Sequence, residues 1–315
     1  MKDSDEFSIL KKVFKNLGNH YFDSSNILLG PGDDAGLFKS KTELIFSTDT
    51  SVANVHFPLN LDPKKIAFRS CAVAASDMAA CGGSLKWLSV SLTTSTKNKE
   101  WIEKFSKGIR QFSNQYKVPI IGGDLSLGKE ISVSIGVCGE IEKKYFMKRS
   151  GAKVNDQIFL TGKLGEAFFG LKLLQTKKKK LSALEKKHLN RYLKPKIEIA
   201  FSKGLSKLAS SCIDISDGLL GDLSHICEQS KVGAELLLES IPLIGEYQTA
   251  LSWGDDYQLC FTADSSKTEK LNQLAKVYGV KISKIGSIKK GKGVLVTSKG
   301  KKITIKKAGY NHFNE

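Results

Sequence analysis

An α+β protein of two domains is the fold class that this sequence predicts, and three observations predict it. The chain has 315 residues, where a typical domain has roughly 150. Strand-like and helical stretches follow one another in mixed order, without the strict alternation that builds a parallel sheet. The character of the chain changes at Arg149-Ser150-Gly151-Ala152, after which a long lysine-rich helical region appears. The boundary is therefore placed near 148, giving domains of 1–148 and 149–315.

Residues 5–17 set Phe7, Leu10, Val13, Phe14 and Leu17 at helical spacing and stop at Gly18. Strand-like runs follow at 44–47, 88–94, 118–121 and 131–138. Between them a helix starts at Asp62-Pro63, an N-cap followed by a first-turn proline, and stops near Gly82-Gly83. A second helix covers about 99–116. Past the boundary come a strand from Gln157 to Leu160, the dipeptide Thr161-Gly162 and the lysine-rich helical region to about 208. A strand then ends over Asp214 to Asp217, and a helix covers 218–230. Strands at 235–239 and 258–262, a helix at 266–278 and strands at 281–288, 293–297 and 302–305 finish the chain. No short-period repeat is visible.

The net charge is +17, from 49 Lys plus Arg against 32 Asp plus Glu. A balance this basic suits nucleic acid, an anionic surface or anionic small substrates. The excess is scattered lysine, densest at Lys177-Lys178-Lys179-Lys180, and a solvated face accounts for it. Aromatics do not interleave with the basic runs as single-strand binding requires, so no nucleic-acid partner is expected. The six cysteines form no C-x-x-C pair and sit in apolar or alanine-rich surroundings, which reads as buried free thiols in a reducing compartment. The N-terminal residues Met1-Lys2-Asp3-Ser4-Asp5-Glu6 lack the apolar core of a signal peptide. No apolar run approaches the ~20 residues of a membrane span. A cytoplasmic protein without membrane contact is the expectation.

Four times an apolar stretch runs into Gly, Ser or Thr and then aspartate: at Gly32-Asp33-Asp34, Ser47-Thr48-Asp49, Gly122-Gly123-Asp124 and Asp214-Ile215-Ser216-Asp217. A strand that ends this way delivers a hard oxygen ligand to the mouth of a fold, and four deliveries point to divalent cations, magnesium above all. Each motif has a plainer reading beside it. Asp33 and Asp34 point in different directions, so one fits a metal while the other caps a turn. Asp49 serves as a cap as readily as a ligand. Asp77 lies in Ala72-Val73-Ala74-Ala75-Ser76-Asp77-Met78-Ala79-Ala80-Cys81, with no cation three or four residues away, so its partner comes from elsewhere. A metal ion or a distant Lys or Arg fits that role. Ser216 precedes a helix whose N-terminal amides favour anions, and it fits a phosphate contact or an N-cap equally. His56 and Arg149 are each either anion contacts or structural groups. No Walker A sequence and no protein-kinase signature set occurs.

Taken in order, eight motifs closely resemble the thiamine-monophosphate kinases, within the aminoimidazole-ribonucleotide synthetase superfamily. They are Gly32-Asp33-Asp34-Ala35, Ser47-Thr48-Asp49-Thr50, His56-Phe57, Ser76-Asp77-Met78-Ala79-Ala80, Gly122-Gly123-Asp124, Arg149-Ser150-Gly151-Ala152, Asp214-Ile215-Ser216-Asp217-Gly218-Leu219 and Gly309-Tyr310-Asn311-His312-Phe313. They run from about 30 to 313, nearly the whole chain. The resemblance implies an ATP-dependent, magnesium-dependent transfer of phosphate to thiamine monophosphate. It implies an N-terminal mixed sheet that pairs across a homodimer, with ATP in a cleft near that interface. It also implies a C-terminal α/β sandwich domain that completes the nucleotide and substrate cleft. By motif position Asp34, Ser47, Thr48, Asp49, Asp77, Asp124, Asp214 and Asp217 would hold several magnesium ions, with Asp49, Asp77, Asp124 and Asp217 the catalytic set. Gly123, Asp124, Arg149 and Ser216 would touch the nucleotide; His56, Asp255 and Tyr310 would touch the thiamine phosphate.

The chain departs from the family where Gly-Gly-Glu-Asp-Tyr-Glu-Leu is usual and Trp253-Gly254-Asp255-Asp256-Tyr257-Gln258-Leu259 stands, and again at Asn311. These departures are assigned to the acceptor side. A phosphate acceptor is already mostly dianionic at pH 7 and needs no general base, so direct in-line transfer without a phosphoenzyme is expected. The alternatives are a selenophosphate synthetase-like or hydrogenase-maturation-like relative, or a non-catalytic basic protein that binds nucleotide or RNA. The first cysteine is Cys71 and the chain ends Phe313-Asn314-Glu315, so neither relative's usual cysteine is in place.

Overall fold

The structure, a computed structural model, describes residues 17–29, 37–176, 178, 180–306 and 309–310. The expected helix at 5–17, apart from its last residue Leu17, and the sites at Asp33, Asp34, Asn311 and His312 lie outside the described residues. The chain divides into two compact units. One contains the residues up to Met78 together with Ser84–Lys143; the other contains Ala79–Gly83 and the chain from Lys144 onward.

In the first unit a short ribbon pairs β1 (Ile27–Leu29) with β2 (Leu37–Phe38). The main sheet takes β3 (Glu43–Val52), β4 (Ser84–Thr94), β5 (Ile120–Leu127) and β6 (Ser132–Ile141) in the order β3-β6-β4-β5. Only β4 and β5 run parallel. Helix α1 (Pro63–Cys81) starts as the sequence directs, with the Asp62 carboxylate accepting the Lys65 N–H at 3.3 Å. Helix α2 (Lys99–Tyr116) starts at Asn98, whose side chain accepts the N–H groups of Glu100 and Trp101. The two helices approach closely at Gly108, where a Cβ would lie 2.2 Å from the Lys64 carbonyl. The sheet has two distinct faces. Gly139, opposite Ile45, looks onto Met78 of α1, so Ile45, Ser47 and Asp49 share the face toward that helix. Gly136 looks onto Phe46 and Ser89, so Phe46, Thr48 and Thr50 lie on the other face with Trp87, Ser89 and Ser91.

In the second unit β7 (Gln157–Thr161) is followed by helices α3 (Glu166–Gln175), α4 (Ala183–Leu193) and α5 (Ile199–Leu205). Next come β8 (Ser211–Asp214), α6 (Leu219–Ser230), β9 (Gly233–Leu237), α7 (Tyr247–Ser252) and β10 (Leu259–Ala263). Helix α8 (Thr268–Tyr278) and strands β11 (Ile282–Lys289), β12 (Gly293–Ser298) and β13 (Lys301–Ile303) close it. The seven strands order as β13-β12-β9-β11-β7-β10-β8, with β9 and β12 the one parallel pair. Ile158, Leu160, Ile213 and Cys260 pack into the core that takes Leu219, Leu223 and Ile226 of α6. Phe159 and Phe261 stack on the opposite face at 5.3 Å and are buried too, so the sheet is covered on both sides. That sandwich, with the mixed sheet of the first unit, is the two-domain α+β architecture expected from the sequence. Lys178, within the lysine run between α3 and α4, pairs with Glu185 at 2.7 Å. No helix among the described residues is long and apolar enough to cross a membrane. Cys71, Cys138, Cys212, Cys227 and Cys260 are buried free thiols, and Cys81 is half-buried.

Candidate active site

In the first unit the central residue is Asp77, on the face of α1 that meets the sheet. Its carboxylate accepts a hydrogen bond from the Ser47 hydroxyl of β3. The partner that a carboxylate among alanines needs thus includes a strand hydroxyl. Asp49 lies two residues along the same face of β3. The sequence reading put Asp49 past the end of a strand; β3 instead pairs with β6 without interruption from Glu43 to Val52, so Asp49 is inside it.

Asp124 needs the same correction. Gly122-Gly123-Asp124 looks like a strand end, yet β5 continues to Leu127. Gly123 is required inside the strand, because a Cβ there would lie 2.0 Å from the Val90 carbonyl of β4. Asp124 pairs with Ser91 and accepts the Ser126 hydroxyl at 2.7 Å. It therefore sits on the sheet face of Thr48 and Thr50, opposite the face that carries Ser47 and Asp49. His56 follows β3, and its Nδ1 accepts the Val52 N–H at 3.0 Å. This bond fixes the turn and leaves the proton of the neutral ring on Nε2.

In the second unit three expected segments come together through main-chain bonds. Asp214 ends β8, as the sequence indicated. The loop after it is stitched to 254–258: Ile215 N–H donates to Gln258 C=O at 2.8 Å, Tyr257 N–H to Ile215 C=O at 2.9 Å and Asp255 N–H to Ser216 C=O at 2.8 Å. Tyr310 N–H donates to Asp217 C=O at 2.9 Å, which brings the C-terminal motif to the same place. Gly254 has φ +82, and a Cβ there would lie 2.2 Å from the Ser216 carbonyl, so the two loops meet only because it is glycine. Arg149 is held differently: the Ser230 hydroxyl donates to its carbonyl at 3.1 Å and accepts the Gly151 and Ala152 amides, while its side chain is exposed.

Ser216 is not the N-cap of α6; Gly218 holds that position, with φ +117. The cap is supplied from inside the helix by Asp222, which sequence reasoning missed. One Asp222 oxygen accepts the N–H groups of both Asp217 and Gly218 at 3.1 Å. Asp222 is 2% exposed. Burial, and then the charges of Asp214 and Asp217, push its carboxyl up to about 8. The only available signal was the acid four residues into a helix that starts at a glycine.

Gln258 also differs from expectation. It was assigned to the acceptor side, but it is buried. Its Oε1 accepts the Thr161 hydroxyl at 2.9 Å and its Nε2 donates to the Asp256 carbonyl at 3.2 Å. A glutamate could not make the second bond and would set a carboxylate against a carbonyl. Gln258→Glu should therefore lower the thermal midpoint by roughly 2–8 °C at pH 7. Differential scanning calorimetry reads this directly, and an unchanged midpoint would show that the amide is dispensable.

Within each unit the donors are carboxylates and hydroxyls, the hard oxygens that magnesium prefers. The mutual repulsion of Asp214, Asp217 and Asp222 is of the kind that a cation relieves. Among the described residues no three His, Cys, Asp or Glu side chains are already grouped around one ion position.

The model of "AIR synthase related protein, N-terminal domain" matches residues 32–141, and that of "AIR synthase related protein, C-terminal domain" matches 153–299. The chain is 40% identical to the thiamine-monophosphate kinase of Buchnera aphidicola subsp. Schizaphis graminum (strain Sg), over 98% of this chain and 99% of that one. It is 34% identical to the thiamine-monophosphate kinase of Escherichia coli (strain K12), over 98% of each. Among solved structures, "AaThiL complexed with AMPPCP and TMP" superposes with a TM-score of 0.78 at 29% identity, covering 99% of this chain and 98% of that one.

Proposed function

This chain belongs to the AIR synthase related family and to its thiamine-monophosphate kinases, and from that membership we infer that it transfers the γ-phosphate of ATP to thiamine monophosphate, giving thiamine diphosphate and ADP. Identity of 40% along the full length to a kinase of this name is the observation that carries the reading. A similar structure that binds an ATP analogue and TMP together agrees with it.

The residues take the following roles. Asp49, Asp77, Asp124 and Asp217 are the catalytic carboxylates. With Asp34, Ser47, Thr48 and Asp214 they would hold several magnesium ions, at separate positions, since Thr48 and Asp124 lie on the sheet face opposite Ser47 and Asp49. Magnesium, when bound, supplies the positive charge that offsets repulsion between the two phosphates. Gly123, Asp124, Arg149 and Ser216 hold the nucleotide. His56, through its Nε2 proton, and Tyr310 and Asp255 hold the thiamine phosphate, the last facing its cationic ring. None of these residues has to remove a proton, because the attacking oxygen belongs to a phosphate that is already ionised. Their work is to align two anions for direct in-line transfer.

A homodimer formed through the open face of the first sheet completes the proposal. Phe46 is 63% exposed there, beside Trp87, whose buried Nε1 has no hydrogen-bond partner. A cytoplasmic location is part of the same proposal.

The test is a coupled assay of ADP release across candidate phosphate acceptors. Release should require both magnesium and thiamine monophosphate, and no phosphoprotein should form with ATP alone. Metal-independent nucleotide binding without turnover would remove the kinase reading.

A further inference from the structure

Asp256 is not among the residues expected to touch either substrate, yet its side chain is buried and held at both oxygens. Both its oxygens bind the start of α3: one accepts the Gly165 N–H at 2.7 Å, the other the Ala167 N–H at 3.1 Å. Its two neighbours are in the left-handed region, Asp255 at φ 65 and Tyr257 at φ 49. Such a conformation is strained in a residue with a Cβ and persists only where the surroundings over-determine it. Here the surroundings are identifiable. The Asp255 and Tyr257 amides donate to Ser216 and Ile215, and Trp253 sets its ring edge-on to Phe168 of α3, with centroids 4.9 Å apart. The Asp256 carboxylate ties the middle of the loop to a helix.

We propose that Asp256 is a positioning residue for thiamine phosphate recognition: by clamping the loop to the first turn of α3 it sets Asp255. The proposal rests on the kinase reading for its substrate. Two acceptor oxygens are needed for the clamp, and that requirement separates aspartate from its isostere. An asparagine keeps one of the two amide bonds and turns its own NH2 toward the other donor. Burial pushes the Asp256 carboxyl up to about 7, against the pull of the two amides. The clamp is thus kept although burying a charge opposes it.

Asp256→Asn in the full chain, assayed with ATP, magnesium and thiamine monophosphate, should raise KM for thiamine monophosphate at least tenfold. The KM for ATP should stay within about twofold and kcat within about threefold. A merely structural role would instead lower kcat in step with the folded fraction and leave both KM values alone; that outcome overturns the proposal. Amide hydrogen exchange of the wild-type chain without substrates tests the clamp itself, whatever becomes of the variant or of the kinase reading. Gly165, Ala167, Asp255 and Tyr257 should be protected at least a hundredfold over free-peptide rates, and exchange at free-peptide rates overturns the clamp. Failure of the wild type to phosphorylate thiamine monophosphate would sink the functional reading alone.

Discussion

Asp77→Asn should reduce kcat about a thousandfold while the protein keeps its fold. The Asn side chain occupies the same volume and its oxygen still accepts the Ser47 hydroxyl, the bond that ties α1 to β3. If Asp77 served only to join helix and strand, the variant would be close to fully active. Loss of one carboxylate from the set proposed to hold the magnesium that offsets two phosphate charges is a different matter. Interactions of that kind contribute several kcal/mol to the transition state, and about 4 kcal/mol is a thousandfold in rate. The measurement is steady-state ADP release at saturating substrates, with circular dichroism to confirm the fold. The companion variant Ser47→Ala should be milder, since it removes one hydroxyl and leaves the charge. Near-wild-type turnover by Asp77→Asn would reduce Asp77 to a packing residue.

Asp222→Ala should be damaging in a second way, through the shape of a loop. It leaves the Asp217 and Gly218 amides without their acceptor in a buried place. Each unsatisfied donor costs about 1–3 kcal/mol, so a loss of roughly 2–5 kcal/mol in unfolding free energy is expected. A displacement of the Asp217 carboxylate by about 1 Å is enough for a hundredfold loss of kcat. Asp222→Asn should behave differently. Both amides bind a single Asp222 oxygen, which the Asn carbonyl can replace, so this variant should fold. It should also change the pH dependence of stability in metal-free protein. The ordinary carboxyl value is 3.8 and the folded value is about 8. Between those limits the folded state binds more protons than the unfolded one, so wild-type stability falls as pH rises through the window. Thermal midpoints recorded from pH 4 to pH 8 should decline less steeply for Asp222→Asn; identical slopes would mean that Asp222 is not the group responsible.

Much of the element order was legible in the sequence because its signals are local. Asp62-Pro63 and Gly82-Gly83 bracket α1, and α1 runs from Pro63 to Cys81. Asn98 marks the start of α2 within a residue of where periodicity puts it. Misreadings arose where a distant partner overruled a local signal. Ser47-Thr48-Asp49 and Gly122-Gly123-Asp124 have the composition of turns, but pairing with β6 and β4 holds them in strands. Nothing short-range could reveal that Gly123 is there to admit the Val90 carbonyl. Ser216 has the look of an N-cap, while the cap comes from Asp222, a position that in isolation resembles any acid on a helix surface. The family motifs pointed to Asp214, Ser216, Asp217, Asp255 and Tyr310, and main-chain bonds bring these separated segments together. Gln258 shows the limit of reading by motif: the departure from glutamate was plain, but only the structure shows that the side chain turns inward to Thr161 and Asp256.

The position of β7 in the second sheet bears on how the protein is made. This strand is inserted between β10 and β11, and neither neighbour exists when β7 leaves the ribosome. The wait for β10, the first of them to be made, spans about 100 residues, or roughly 5–20 s of synthesis at ordinary elongation rates. During that interval Ile158, Phe159 and Leu160, all buried in the finished sheet, have no strand to pair with. Over that interval the nascent chain therefore carries an apolar segment that a holding chaperone can occupy.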